Sequence, residues 1–452
     1  MKERVIISLV SPPTRANSRY IPNALMALSA WLEKEGVTND IIDIKIQKDP
    51  FVLLSSVDID KISSEIIERI LNDKPLFVGL SCYTTEYDVV MALANSIKKI
   101  CDVKIIVGGL HASINHEDFL FEGSPIDYVV IGEGEITLTE FIKVYSKALS
   151  IRDVKGIAFR DKGMIVRNDP RERIIDLGVL PRPAYHKIDI EYYLKPNKYI
   201  VRLLLLSGMH IFTTRGCPNQ CTFCANKTKL VTYRPVEAVI DEINWLKENH
   251  GIESFYIADD TFCLKRERVV KFIEMMKKLP YRMVWAMETT VKSIDERMII
   301  ELKRAGCIQI DFGIESGSQE ALDRMKKGIT IKQIEEAFKL CRQYGIRTYA
   351  TLMFNTPEET EDDIEKTIGL MNRIRATNYG INLTVPYPGT EIYEKYVFPK
   401  LTKESYYIYN DPELSHAIPD PRFRLASHKR DLDKLYINVL LKFTIWRKHF
   451  YS

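Results

Sequence analysis

Two separate series of short β-branched runs, each run followed by a stretch of helical periodicity, limit what this chain can become. The first series holds Val5–Val10, Ile41–Ile46, Phe77–Cys82, Lys104–Val107 and Tyr128–Ile131. The second holds Ser207–Thr213, Ser254–Ala258, Met283–Glu288, Ile308–Gly313, Thr348–Phe354 and Gly380–Thr384. Strands separated by helices pair in parallel, because a crossover containing a helix returns the chain to the same end of the sheet. The first series therefore predicts an α/β domain, a Rossmann-like doubly wound parallel sheet covered on both faces. Six units with right-handed crossovers predict a partial (β/α)6 barrel for the second.

At 452 residues the chain is too long for one hydrophobic core. Between the two series lie a hairpin, Gly156–Arg160 with Met164–Arg167, and a stretch carrying Pro170, Pro181, Pro183 and Pro196. The expected organisation is a first domain over 1–150, hairpin and linker over 151–200, the barrel over 201–390 and a mainly helical C-terminal region over 391–452. Within that last region Asp431–His449 reads as an amphipathic helix, with Leu435, Val439, Leu440, Phe443 and Trp446 on or near one face. The expectation is a helix packed on the barrel or covering its mouth, with a membrane-surface helix as the alternative. Tyr393, Tyr396, Tyr406, Tyr407 and Tyr409 are expected on the substrate side or in the core.

A composition of 46% hydrophobic and 28% charged residues is that of a soluble globular protein, and a net charge of +3 without a long basic block argues against nucleic acid. The first ten residues hold too short an apolar run for a secretory signal, and Ile200–Phe212 is interrupted by Arg202. Eight cysteines without a framework of regular pairs fit a reducing compartment. These features lead to the expectation of a cytoplasmic monomer with no stable membrane insertion. Cys82, Cys101, Cys263, Cys307 and Cys341 fall in apolar patterns and are expected mostly as small core residues.

The other three cysteines carry chemistry. Cys217, Cys221 and Cys224 are spaced C-x3-C-x2-C directly after the first strand of the second series. One short loop can present three thiolates to one centre. A [4Fe–4S] cube usually takes four thiolates, so three leave an iron corner open, and an open metal position signals chemistry. A zinc site is the alternative and needs a fourth Cys or His nearby. His210 precedes the loop, whereas His250 and Cys263 lie well downstream.

The loop, with Phe223 before its last cysteine, resembles the radical S-adenosylmethionine (SAM) superfamily. The resemblance implies that Cys217, Cys221 and Cys224 hold a [4Fe–4S] cluster whose open iron binds SAM and cleaves it to a 5′-deoxyadenosyl radical. It implies further that Phe223 lies near the adenine. Asp259 and Asp260, in Tyr-Ile-Ala-Asp-Asp-Thr, match a motif that holds the methionine amino group, although Asp260 alone equally fits a helix cap. Gly313, Glu315 and Ser316, in Gly-Ile-Glu-Ser-Gly, match a segment facing the SAM-filled mouth, and Val385–Thr390 also matches the family. Two departures stand out. Thr290 occupies a position where an arginine is common, leaving Glu288 to take over ribose or carboxylate recognition. Asn355 and Glu358 stand where glycines are usual.

In the first domain the loops around Ser81, Thr84 and Thr85, around Gly108, Gly109 and His111, and around Gly132, Glu133, Gly134 and Glu135 each follow a strand. Three such loops in register form a crevice for a large ligand. Together they resemble the cobalamin-binding domain of B12-dependent radical SAM enzymes, and these residues are expected to line the nucleotide tail. The Asp-x-His-x-x-Gly signature that supplies a cobalt ligand elsewhere is absent, with Ser-Pro-Pro-Thr-Arg in its place. His111 is therefore expected to make tail or backbone contacts. A vestigial domain that binds no corrin is the alternative.

With SAM, a [4Fe–4S] cluster and cobalamin as cofactors, the resemblance implies methylation of an unactivated carbon by way of a substrate radical. Cyclisation, ring rearrangement or oxidation by the same cofactors, and a non-catalytic corrinoid or iron–sulfur carrier, are the alternatives. The partners it implies are a small-molecule or peptide substrate and an electron donor such as flavodoxin or ferredoxin. Hydrogen abstraction by a radical needs no base, and no catalytic residue is assigned.

Overall fold

The computed structural model describes residues 5–14, 21–45, 55–198, 200–226, 228–398, 403, 406, 409 and 423–445. Ile46, Tyr407 and Trp446, singled out above, lie outside them. The chain forms two compact units. One comprises Met1–Ile175, Val179–Tyr192 and Pro399–Leu414; the other comprises Asp176–Gly178, Tyr193–Phe398 and Ser415–Ser452.

The first unit is built on seven strands: β1 (Ile7–Val10), β2 (Asn39–Ile42), β3 (Phe77–Ser81), β4 (Lys104–Gly108), β5 (Tyr128–Val130), β6 (Ile157–Asp161) and β7 (Met164–Arg167). Their order is β2-β1-β3-β4-β5-β6-β7. The first five pair in parallel. The predicted hairpin joins the sheet, β6 pairing antiparallel with β5 and β7 with β6. Helices cover the sheet because their apolar residues recur at helical spacing: Ser56–Asp73 buries Ile62, Ile66 and Ile70 and is started by a capping box in which Ser55 and Asp58 exchange hydrogen bonds. In the order 2-1-3-4-5 the winding reverses between β1 and β3, and a crevice opens there at the C-terminal ends of the strands.

The second unit holds a six-stranded parallel sheet in the order β15-β14-β13-β12-β11-β8. Its strands are β8 (Gly208–Ile211), β11 (Ser254–Ile257), β12 (Val284–Thr289), β13 (Cys307–Glu315), β14 (Arg347–Phe354) and β15 (Asn378–Leu383), with helices between them. Consecutive strands are neighbours throughout, the topology of a partial (β/α)6 barrel. Burial along β14 alternates, with Ala350, Leu352 and Phe354 fully buried, as a sheet covered by helices on one face requires. Two short strands, β9 (Thr214–Arg215) and β10 (Thr232–Tyr233), form an antiparallel ribbon after β8.

The C-terminal helix Leu432–Leu440 continues as a π-helical turn through Ile445. Leu432, Leu435, Val439 and Phe443 are buried, and the Phe443 ring meets Tyr379 of β15 at 5.5 Å. Its apolar face thus packs on the barrel edge. None of the described helices is long and apolar enough to cross a membrane.

Candidate active site

The three cysteines sit on the loop between β9 and β10, at the C-terminal end of the barrel. The ribbon fixes the base of this loop. Above it, Cys217 N donates to Thr228 O at 3.0 Å and Cys224 N to Cys221 O at 3.2 Å. Gly216 has φ +95°, and a Cβ there would lie 2.5 Å from Leu230 O, so only glycine closes the loop at that point. All three thiols are free, with Cys224 exposed and the other two half-buried. Two of the sulfurs receive N–H groups at 3.4 Å, Cys217 from the Asn219 side chain and Cys224 from the Asn226 backbone. Burial pushes the Cys221 and Cys224 thiols up.

Among the described residues no three His, Cys, Asp or Glu side chains are grouped as ligands of a single metal ion are. Thiolates around one tetrahedral zinc lie roughly 4 Å apart. A cube holds each thiolate on a separate iron corner and does not require that grouping. The donor set, three sulfurs on one short loop with N–H groups directed at two of them, fits a [4Fe–4S] cluster with one open corner.

Below the loop lies a network that the sequence only half disclosed. Asp259 is buried and accepts from Thr213 N at 2.6 Å, Thr214 N at 2.9 Å and the Thr213 hydroxyl. Its carboxylate is directed at the start of the ribbon, so the expected contact with an ammonium group is one this geometry does not offer. Desolvation raises its pKa despite these donors. Asp260 is exposed and accepts from Asn226 Nδ2 at 2.8 Å, which links it to the cysteine loop. Asn226 also accepts from Thr228 N at 3.0 Å. It is a connecting residue that no sequence signal distinguished.

The barrel interior carries three carboxylates and two cations. Glu288, Asp311 and Tyr349 are side by side on β12, β13 and β14. Asp311 is buried against Arg202 at 2.9 Å and accepts from Tyr256 at 3.2 Å and Gln309 at 2.8 Å. The Arg202 guanidinium stacks 3.8 Å above the Tyr349 ring. Glu315, held at φ +62°, pairs with Lys327 at 2.7 Å. A Cβ on Gly313 would lie 2.6 Å from Glu315 Oε1 and 2.9 Å from Lys327 Nζ, so the missing side chain at Gly313 makes room for this pair. Burial lowers the Lys327 pKa and Glu315 raises it, and the raising influences win.

The Glu288 side chain has no ion pair or hydrogen bond among the described residues. Desolvation first, then Asp311, pushes its pKa up to about 7. Its side chain remains accessible although protein surrounds it on most sides, as a group inside a concave mouth is. Near neutrality it can donate as the acid or accept as the carboxylate. Phe223 is half-buried, with Lys327 Nζ 5.8 Å from its ring centroid. Lys327, absent from the sequence expectation, thus stands beside both Glu315 and Phe223. The Ser316 hydroxyl is within 3.1 Å of Thr367 Oγ1 and accepts from Ser318 N. It is turned toward the helix Glu361–Ile374, away from the role expected of it.

In the first unit, four of the ten residues expected at the nucleotide tail are turned into the domain. His111 is fully buried, its Nδ1 3.0 Å from Thr84 Oγ1 and its Nε2 3.4 Å from Asp118 Oδ2. Tyr87, Phe119 and Tyr406 surround it edge-on at 5.1–5.5 Å. It is a packed core histidine, and Thr84 is occupied with it. Glu133 pairs with Arg173 at 3.1 Å and accepts from Ile174 N at 2.8 Å. Glu135 is buried. The other six stay on the open side: Thr85, Gly109 and Gly132 exposed, and Ser81, Gly108 and Gly134 half-exposed. A Cβ on Gly132 would meet nothing within 4 Å, whereas one on Gly109 would strike Cys82 backbone at 2.8 Å. The crevice is thus lined by backbone and small side chains, which suits close approach of an extended ligand tail.

Residues 211–371 match the Radical SAM superfamily, and residues 14–142 match the B12 binding domain. The chain belongs to the cobalamin-binding branch of the radical SAM enzymes. An uncharacterized methyltransferase of Pyrococcus horikoshii is 27% identical over 398 residues, 86% of this chain and 82% of that protein. An anaerobic magnesium-protoporphyrin IX monomethyl ester cyclase of Cereibacter sphaeroides is 27% identical over 347 residues, 74% of this chain and 56% of that protein. Among solved structures, the radical SAM methyltransferase TsrM of Kitasatospora setae, with cobalamin and a [4Fe–4S] cluster bound, superposes with a TM-score of 0.72 at 21% identity. That likeness covers 87% of this chain and 78% of TsrM, and it places both halves of this radical SAM enzyme in the same fold.

Proposed function

We propose that this radical SAM enzyme is a cobalamin-dependent methyltransferase acting on an unactivated carbon of a small molecule or peptide. The observation that carries the reading is the three-cysteine loop at the C-terminal mouth of the barrel, in a chain whose other domain is of the B12-binding type. Bound together, the cluster, SAM and corrin supply a hydrogen-abstracting 5′-deoxyadenosyl radical and a transferable methyl group. The chain's own residues bind, orient and exclude water. Cys217, Cys221 and Cys224 hold three iron corners. Lys327 and Glu288 supply complementary contacts for the carboxylate and ribose of SAM, and Asp260 is the acidic group left to face its ammonium. Asp259 has a positioning role, because its acceptors are directed at Thr213 and Thr214. In the first unit Ser81, Thr85, Gly108, Gly109, Gly132 and Gly134 line the corrin tail. The electron enters from an external one-electron carrier such as flavodoxin or ferredoxin.

The cyclase relatives favour a second reading, in which the same radical ends in oxidation or ring closure. Methylated product separates the two. For the shared first half of both, anaerobically reconstituted wild-type protein given SAM and reductant is expected to release 5′-deoxyadenosine. Cys221→Ala is expected to release none. Equal release from both proteins would remove the cluster from this loop.

A further inference from the structure

Where β14 ends, the chain turns through two left-handed residues that are not glycine, Asn355 at φ +60° and Glu358 at φ +56°. Glycine takes such a conformation without steric cost, and asparagine is the side chain that tolerates it best. What asparagine adds here is its carboxamide. Asn355 is fully buried, and Nδ2 donates to Thr384 O at 3.0 Å and to Phe423 O at 2.8 Å. Its Oδ1 accepts from Leu425 N at 2.8 Å and Ala426 N at 3.2 Å. Four bonds satisfy the whole group, three of them to a segment about 70 residues downstream.

The neighbouring residues extend the seam. Glu358 N donates to Leu425 O at 3.0 Å and Ser427 N to Glu359 O at 2.9 Å. The buried Glu359 accepts from Asn355 N at 2.8 Å, and its Oε2 lies 3.3 Å from His428 Nε2. Phe423 is buried beneath this seam. The segment Phe423–His428 is therefore seated on the loop after β14 and beside the end of β15. Those strand ends face the C-terminal end of the barrel, as the cysteine loop does, although β15 and β8 are opposite edges of the sheet.

We propose that Asn355 is a positioning residue, a clasp that seats Phe423–His428 as one wall of the SAM-binding mouth. The inference rests on the proposed reading of that mouth. A glycine in its place would keep the turn and lose the clasp, and this separates the side chain's role from the backbone's.

The test uses the full-length, cluster-reconstituted protein carrying Asn355→Gly. Loss of these bonds is expected to speed hydrogen exchange at the Leu425 and Ala426 amides by at least about tenfold. The SAM dissociation constant is expected to rise about tenfold, which corresponds to 1.4 kcal/mol. The cluster absorbance per chain is expected to stay unchanged. Leu425→Pro removes one donor from the far side of the clasp and is expected to act in the same direction. Unchanged exchange in Asn355→Gly overturns the clasp. Faster exchange with unchanged SAM affinity overturns the wall. Wild-type protein that binds no SAM overturns both the wall and the proposed function, while exchange still decides the clasp.

Discussion

Three carboxylates and two cations share the barrel interior, and Glu288 is the carboxylate left without an ion pair among the described residues. Asp311 has Arg202 and Glu315 has Lys327; burial still raises the Asp311 pKa, and desolvation first, then the Asp311 charge, pushes that of Glu288 up to about 7. Buried His210 goes the other way, held down to about 4 by desolvation and by the Arg202 charge. The two act oppositely on stability. Between about pH 4 and 6.5 the unfolded chain binds the proton that folded His210 refuses, so stability rises with pH by up to about 3 kcal/mol. Between about 4.5 and 7 folded Glu288 binds the proton that the unfolded chain has released, so stability falls with pH. Urea denaturation of His210→Phe is expected to lose the rising part, and that of Glu288→Gln the falling part. Asp259→Ala is expected to lose about 2–4 kcal/mol, since two buried N–H groups lose their acceptor, and denaturant midpoints measure it. The cysteines were legible because spacing alone defines a three-thiolate loop. Asp259, Thr84 and His111 were legible as polar residues near strand ends but not in their direction, because a strand end allows a side chain to face the ligand or the next loop. Lys327 and Asn226 lie in loops without periodicity, where only the folded chain shows what they meet.

At the scale of elements, the ribbon β9–β10 decides whether three thiols act as one site. Gly216→Ala places a Cβ against Leu230 O in a left-handed residue, at a cost of about 1–3 kcal/mol. Iron bound after reconstitution is expected to fall by at least about half, with the far-ultraviolet dichroism unchanged, because that strain is confined to one loop. Wild-type iron content in this variant would show that the ribbon is not what gathers the cysteines. The six barrel strands were legible because each one's helix-facing side is apolar, as Ala350, Leu352 and Phe354 show on β14. β9 and β10 were not, since two residues carry no period. The hairpin was legible as a hairpin, yet its attachment to β5 was not. Edge pairing depends on which strand end is left open, and local sequence does not record that.

For the whole molecule, two α/β units carry the two cofactor chemistries, and each puts its loops at the C-terminal ends of parallel strands. That division was readable from the two series of alternating runs. The return of the C-terminal region to both units was not: Tyr406 packs on His111 in the first unit, and Phe423–Leu425 bonds to Asn355 in the second. Both contacts join residues far apart in sequence, and no local pattern encodes them. Methyl transfer by this chain requires that it use both cofactors together. The direct test reconstitutes the protein anaerobically with iron, sulfide and hydroxocobalamin. Reductant and SAM with a trideuterated methyl group are then added, and corrin and nucleoside are analysed by mass spectrometry. Bound corrin carrying the labelled methyl group is expected together with 5′-deoxyadenosine. Release of 5′-deoxyadenosine by protein that retains no corrin would contradict that expectation.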